Sequence, residues 1–250
     1  MINLCFNISI YQMTGYIEER FSAKFEEPER FIPIYHISAF KTPNIPVITN
    51  ENPDKIQFFQ WGLIPFWVKD EQTAQKIQYQ TFNAKSETIH EKPSFRNSIM
   101  TKRCLVLVDG FYEWHEYKDS GKKFPYYITL KDQKLFTLAG IWDTWVNKEN
   151  GKLKNTFSII TTDANPLLAK IHNTKKRMPV ILDKPDEMRW LNPELDVDDI
   201  NGLLKPFDES KMKAYTVSKL LSQRGANTNV AEIVDKVEYE ELKTEQQTLF

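Results

Sequence analysis

Arg103-Cys104-Leu105-Val106-Leu107-Val108 is an almost unbroken apolar run, the pattern of a strand buried on both faces. Asp109-Gly110 ends it with turn chemistry, and Phe111-Tyr112-Glu113-Trp114 follows. Residues 5–11 alternate and predict another strand. Ile17, Phe21 and Phe25 recur at helical spacing, which predicts a helix over 14–25 with Thr14 as its cap. Prolines 28, 33, 43, 46 and 53 predict extended, loop-rich chain with a short strand at 46–49. A strand at 56–61 leads into the aromatic turn 62–67. Helices are expected at 71–80 and 94–102. Strands at 126–130, 135–142 and 156–162, separated by polar glycine-containing turns, predict a meander. A helix at 165–171 carries Pro166 in its first turn. A strand at 178–182, helices at 186–191 and 197–204, and a last strand at 215–217 complete the pattern.

No repeat, linker or composition shift divides the chain. Strands with short helices between them predict one α+β domain, a mainly antiparallel sheet or barrel. It is expected to span residues 1–230, with 231–250 as an acidic tail. A chain of 250 residues can bury a sizeable core. The net charge of −1 carries no global signal for nucleic acid, but the average hides a split. Residues 231–250 hold six acidic residues and two lysines, which leaves +3 on the remainder. The body can therefore offer an anion a local basic patch.

Two cysteines, Cys5 and Cys104, make no disulfide framework, so a reducing cytoplasm is expected. No apolar run approaches a membrane span, and the N-terminus lacks signal-peptide character. His36, His90, His115 and His172 show no ligand spacing, so neither metal nor cofactor is expected.

The candidate chemistry is scattered. Glu113 lies among three aromatics, where a carboxylate needs partners or a raised pKa suited to proton transfer; the competing reading is a surface glutamate on an edge strand. Cys5 is incidental unless the residues before it are absent. An N-terminal cysteine carries an amine and a thiol on adjacent carbons. Its amine, with a pKa of about 7.7–8.0, is partly neutral at physiological pH. Such an amine can attack an aldehyde, and the thiol can then close a five-membered thiazolidine. Asn83 could hold an amine or carbonyl, or simply form a turn. His172 heads the basic loop 172–177, where cations favour a neutral imidazole and suit phosphates; a solvated loop is the alternative. Trp61 and Trp67 could stack on bases or pack in a core.

Five motifs in order carry a family resemblance: Trp61-Gly62-Leu63-Ile64-Pro65-Phe66-Trp67; Asn83-Ala84-Lys85-Ser86-Glu87-Thr88; Lys92-Pro93-Ser94-Phe95-Arg96; Arg103 to Val106 with Asp109 to Trp114; and His172-Asn173 with Arg177 to Leu182. Over about residues 5–230 the chain closely resembles the SOS response-associated peptidase (SRAP) family of abasic-site processing proteins. The resemblance implies a monomer that traps abasic sites in single-stranded DNA as a reversible thiazolidine on an N-terminal cysteine. Cys5 matches that cysteine. Asn83 would position its amine, Glu113 would handle protons, and His172 would assist opening of the deoxyribose ring. Lys85, Arg96 and Arg177 match phosphate-binding positions, and Trp61 and Trp67 match the motif lining the DNA cleft. Two competing classes are a non-covalent single-stranded DNA binding module and a peptidase on proteins, with Cys5 as nucleophile and His172 as base.

The chain departs from the family in two places. Phe6-Asn7 stands where Gly-Arg is usual, and Lys85 offers a point charge where a bidentate Arg is common. Met1-Ile2-Asn3-Leu4 precedes Cys5 and would convert its amine to an amide. The resemblance therefore expects their removal. Either Leu4 reflects a TTG or CTG start codon read as a cleaved initiator Met, or the protein cuts itself before Cys5. Intact-mass measurement of protein expressed from its native gene should show a chain beginning at Cys5; a mass retaining all four residues marks a member inactive in crosslinking.

Overall fold

The computed structural model describes residues 5–118 and 120–242. Residues 1–4, on which the expected removal falls, and residues 243–250 of the tail lie outside the described residues. In chain order the elements are β1 (Asn7–Ile10), α1 (Thr14–Phe21), β2 (Lys24–Phe25), β3 (Ile34–Ser38), β4 (Asn44–Thr49) and β5 (Lys55–Trp61). Then come α2 (Glu71–Gln78), β6 (Asn83–Lys85), α3 (Arg96–Thr101), β7 (Arg103–Val108), β8 (Gly110–Glu116), β9 (Lys123–Leu130), β10 (Phe136–Val146) and β11 (Leu153–Asp163). The last are α4 (Pro166–Ile171), β12 (Arg177–Pro179), β13 (Ile181–Leu182), α5 (Lys184–Leu191), α6 (Val197–Leu203) and β14 (Met212–Thr216). The expected α+β domain with a mainly antiparallel sheet is what forms.

Five strands close into a barrel. β11 pairs with β10, β10 with β7, β7 with β4 and β4 with β5, all antiparallel. β5 then pairs with β11 in parallel, Gln60 opposite Thr156 and Trp61 opposite Phe157. A ring with an odd number of strands cannot alternate direction throughout, so one joint has to be parallel. Closure leaves these strands without exposed edges. A second sheet of five strands runs β14-β9-β8-β1-β3.

Asp109-Gly110 is not a hairpin turn. β7 has β4 on one edge and β10 on the other, so the chain leaving it must pair elsewhere. It crosses to the second sheet, where β8 lies between β1 and β9. Gly110 permits this crossing because a Cβ there would meet the Tyr127 ring at 2.4 Å. The expected meander is cut between β9 and β10 in the same way: β8–β9 and β10–β11 are hairpins in different sheets.

The expected helix to residue 25 stops at Phe21. Ser22 adopts a left-handed φ of 51°, and the Glu18 carboxylate accepts from the Phe25 amide at 3.0 Å. Phe25 then joins β2 beside β5. Met13, not Thr14, is the N-cap residue. The strand expected at 178–182 is split, because β12 pairs with β11 and β13 with β10. The first part of the acidic tail packs on the body. Ile233 and Leu242 are buried, Val237 donates to the Thr216 carbonyl, and the Tyr239 hydroxyl donates to Val217 at 2.7 Å.

Arg103 is fully buried, and among the described residues its guanidinium is held by four backbone carbonyls. Its guanidinium donates to Ile99 and Met100 at the end of α3, and to Trp190 and Asn192 at the end of α5. The last carbonyls of a helix lack intrahelical partners and carry negative partial charge. One planar fork thus caps two helix ends against β7. Arg103→Met should lower stability by about 3 kcal/mol, since it strands buried carbonyls. Arg103→Lys should recover less than half of that, as read from urea denaturation midpoints.

Candidate functional site

The site is assembled from four distant segments. β11 presents one edge to two short partners in succession. β5 takes Thr156 and Phe157; β6 takes Ile159 to Thr161, with Asn83 opposite Ile159. Trp61 braces this joint. Its ring stacks on Phe157 at 5.9 Å, and its indole N–H donates to the Phe82 carbonyl at 2.9 Å. Ser158 donates to the Thr81 carbonyl. Asn83 is therefore held by its backbone on both sides. Its Nδ2 donates to the Cys5 carbonyl oxygen at 2.9 Å, while its Oδ1 is buried and has no partner among the described residues.

Cys5 lies just before β1, which pairs with β8 and so brings Glu113 near it. Burial, with Glu113 close by, pushes the Cys5 thiol well above its ordinary range; the Asn7 amide pulls the other way. Glu113 is buried, and its Oε1 has no partner among the described residues. Burial alone pushes its carboxyl up to about 8, so it is a protonated acid at neutral pH. His172 follows α4 at its C-terminal end, with Nδ1 at 3.2 Å from the Arg177 carbonyl and 3.6 Å from Glu113 Oε2. A carbonyl can only accept, so Nδ1 carries the proton and Nε2 is the acceptor. Burial holds the imidazole below its usual range. The pair is thus a neutral acid beside a neutral base, not an ion pair.

Glu113 and His172 line a cleft of about 530 Å³ together with Asn7, Lys123, Leu221 and Ser222. Asn83 and Lys85 line a neighbouring cleft of about 480 Å³. Phe6 and Phe40 border both. Among the described residues no group of three His, Cys, Asp or Glu side chains could hold a metal ion.

The structure thus brings Cys5, Asn83, Glu113 and His172 together. The residues expected at DNA behave differently from one another. Trp61 is fully buried and has no face for a base; its place in the barrel joint corrects that expectation. Trp67 is 43% exposed. Lys85 and Arg96 are exposed. Arg177 is tied to the carboxylates of Glu87 and Asp163 and to the Thr161 carbonyl. Phe40 and Lys123 beside the cleft carried no signal in the sequence, because only folding sets them next to Glu113. Phe6 and Asn7 were visible only as departures from the family pattern.

Fold and site together define a single-domain α+β protein with a buried cysteine, amide, acid and imidazole at the junction of two clefts. The family model described as SOS response associated peptidase (SRAP) matches residues 4–224, and the chain belongs to that family. It is 39% identical over 228 residues to the abasic site processing protein YoqW of Bacillus subtilis, covering 90% of this chain and 97% of that one. It is 33% identical over 189 residues to the abasic site processing protein HMCES of Xenopus tropicalis, covering 68% of this chain and 54% of that one. A crystal structure of a protein from Bacteroides thetaiotaomicron superposes with a TM-score of 0.87 at 42% identity, over 94% of this chain and all of that one. No helix among the described residues is long and apolar enough to cross a membrane.

Glu113 makes stability depend on pH. Its folded pKa of about 8 exceeds the usual 4.5, so the native state keeps a proton that the unfolded chain releases. The contribution is full below the unfolded value and is lost as pH rises through the folded one. His172, shifted downward, acts only below its ordinary value of 6.5. Between about pH 6.5 and 8 the protein should lose ~1.5 kcal/mol relative to Glu113→Gln, at about 1.4 kcal/mol per pH unit. Denaturant titrations of both proteins across that window check it.

Proposed function

We propose that the protein forms a reversible covalent link to abasic sites in single-stranded DNA through Cys5, once Met1–Leu4 have been removed by start-site choice or self-cleavage. The observation that carries this reading is the convergence of Asn83 on the Cys5 backbone with a protonated Glu113 and a neutral His172. The names of the relatives, abasic site processing proteins, supply the substrate class. The working unit is the domain expected over residues 1–230, less the four removed residues, acting as a cytoplasmic monomer.

The chemistry then runs as follows. His172 Nε2 accepts the C1′ hydroxyl proton of the closed deoxyribose; the C1′–O4′ bond breaks, the imidazolium returns that proton to O4′, and C1′ is left as an aldehyde. Asn83 orients the Cys5 amine. The amine attacks C1′ to form a carbinolamine. Glu113 gives a proton to the departing hydroxyl, water leaves, and an iminium results. Sγ adds to C1′, its proton returns to the Glu113 carboxylate, and the thiazolidine ring is closed. The same steps in reverse release the DNA. Lys85 and Arg96 supply phosphate contacts, and Trp67 a stacking face. A plain cysteine peptidase fits the site less well. It needs a thiolate, whereas burial holds the Cys5 thiol protonated.

Protein from the native gene, incubated with a single-stranded oligonucleotide carrying one abasic site, should give a shifted band on denaturing electrophoresis. Cys5→Ala should abolish the band, and Glu113→Gln should slow its formation and its reversal by about 10²-fold. Binding without a covalent band would leave a non-covalent DNA binding module.

A further inference from the structure

The proposed chemistry needs an acid and a base on two different elements, β8 and the turn after α4, to stand in fixed register. β9 pairs with β8 from Phe111 to Glu116, whereas β1 reaches it only at Gly110 and Phe111. Further along, Glu116 takes a side chain in place of a strand. Its amide donates to Asn173 Oδ1 at 3.1 Å, and Asn173 Nδ2 donates to its carbonyl at 2.8 Å. A carboxamide carries the donor and the acceptor of a peptide group, so one side chain satisfies both.

A second tie lies on the other side of His172. His115 Nδ1 is 2.9 Å from the Lys170 carbonyl, in the last turn of α4. It donates to that carbonyl, which can only accept. Glu113 and His115 stand two residues apart on one strand and so share a face of β8. Residues 170 and 173 are thus both fastened to the strand that carries Glu113, with His172 between them. Asn173 lines neither cleft, so it can act only through His172. We infer that Asn173 is a positioning residue: its paired bonds to Glu116 hold the His172 imidazole against Glu113, with Nε2 as the nitrogen that takes a proton. The inference rests on the reading of Glu113 and His172 as the acid and base of crosslinking.

Protein labelled with 15N-histidine tests it by NMR, with His172 assigned through His172→Gln. The charges acting on the ring are Glu113, Lys175 and Lys123, and Asn173→Ala leaves all three in place. In the wild type the imidazole should show the Nδ1–H tautomer and titrate below its ordinary value of 6.5. Asn173→Ala should give a mixture of tautomers and move the titration up toward 6.5 as water reaches the ring. Crosslinking to a single-stranded oligonucleotide with one abasic site should slow about tenfold at neutral pH, the acid limb of its pH profile moving with the titration. Affinity for the same strand carrying tetrahydrofuran, which has no aldehyde, should change less than about twofold. Arg103→Lys, outside both clefts, should lower stability yet leave the tautomer and titration of His172 as in the wild type. An unmoved titration in Asn173→Ala, an unchanged crosslinking rate, or the same shift in Arg103→Lys overturns the assignment. If the wild type gives no denaturation-resistant band, the covalent reading fails, and the titration still decides whether Asn173 places His172.

Discussion

The parallel joint between β5 and β11 is the constraint on which the site depends. Four of the five barrel contacts are antiparallel, so the fifth cannot be. At that joint β5 occupies only two residues of the β11 edge. The edge beyond is open, and β6 fills it with Asn83. The barrel therefore creates the slot that carries the amide to Cys5. Trp61 sits where the two pairings meet and ties β5 to the chain just before Asn83. A residue that resembles a ligand for DNA in sequence is a brace for the site in structure.

Two buried ionisable groups on consecutive strands, β7 and β8, show opposite responses to burial. Arg103 on β7 stays charged because four carbonyls at two helix ends replace the water it has lost. Glu113 on β8 has no such replacement. Its Oε1 has no partner among the described residues, and its carboxyl takes up a proton instead. The first arrangement makes a fixed support. The second makes an acid ready to give its proton near neutral pH. Leaving a buried polar atom unsatisfied costs stability, and a second such atom, Asn83 Oδ1, stands at the neighbouring cleft.

Much of the strand pattern was legible, because a strand buried on both faces has to read as an apolar run and a hairpin has to carry turn residues. The run at 103–108 and the hairpins β8–β9 and β10–β11 follow from that. Where expectation failed, a long-range partner overruled a local signal. The Glu18 carboxylate took the Phe25 amide out of helix α1, and filled edges on β7 turned an apparent Asp-Gly hairpin into a crossing between sheets. The family was legible for a different reason: five ordered motifs survive in the chain whatever their geometry.

By itself the sequence determined the strand-rich α+β class, the residue types available for chemistry, and the awkward position of Glu113 among aromatics. Only the tertiary structure decided that no Lys or Arg among the described residues pairs with Glu113, that His172 turns its Nδ1 toward it and keeps Nε2 as the base, that Arg177 is bound by carboxylates and that Trp61 is enclosed. The reason is physical. Protonation and exposure depend on what stands within a few ångströms of an atom, and here those neighbours come from segments far apart along the chain.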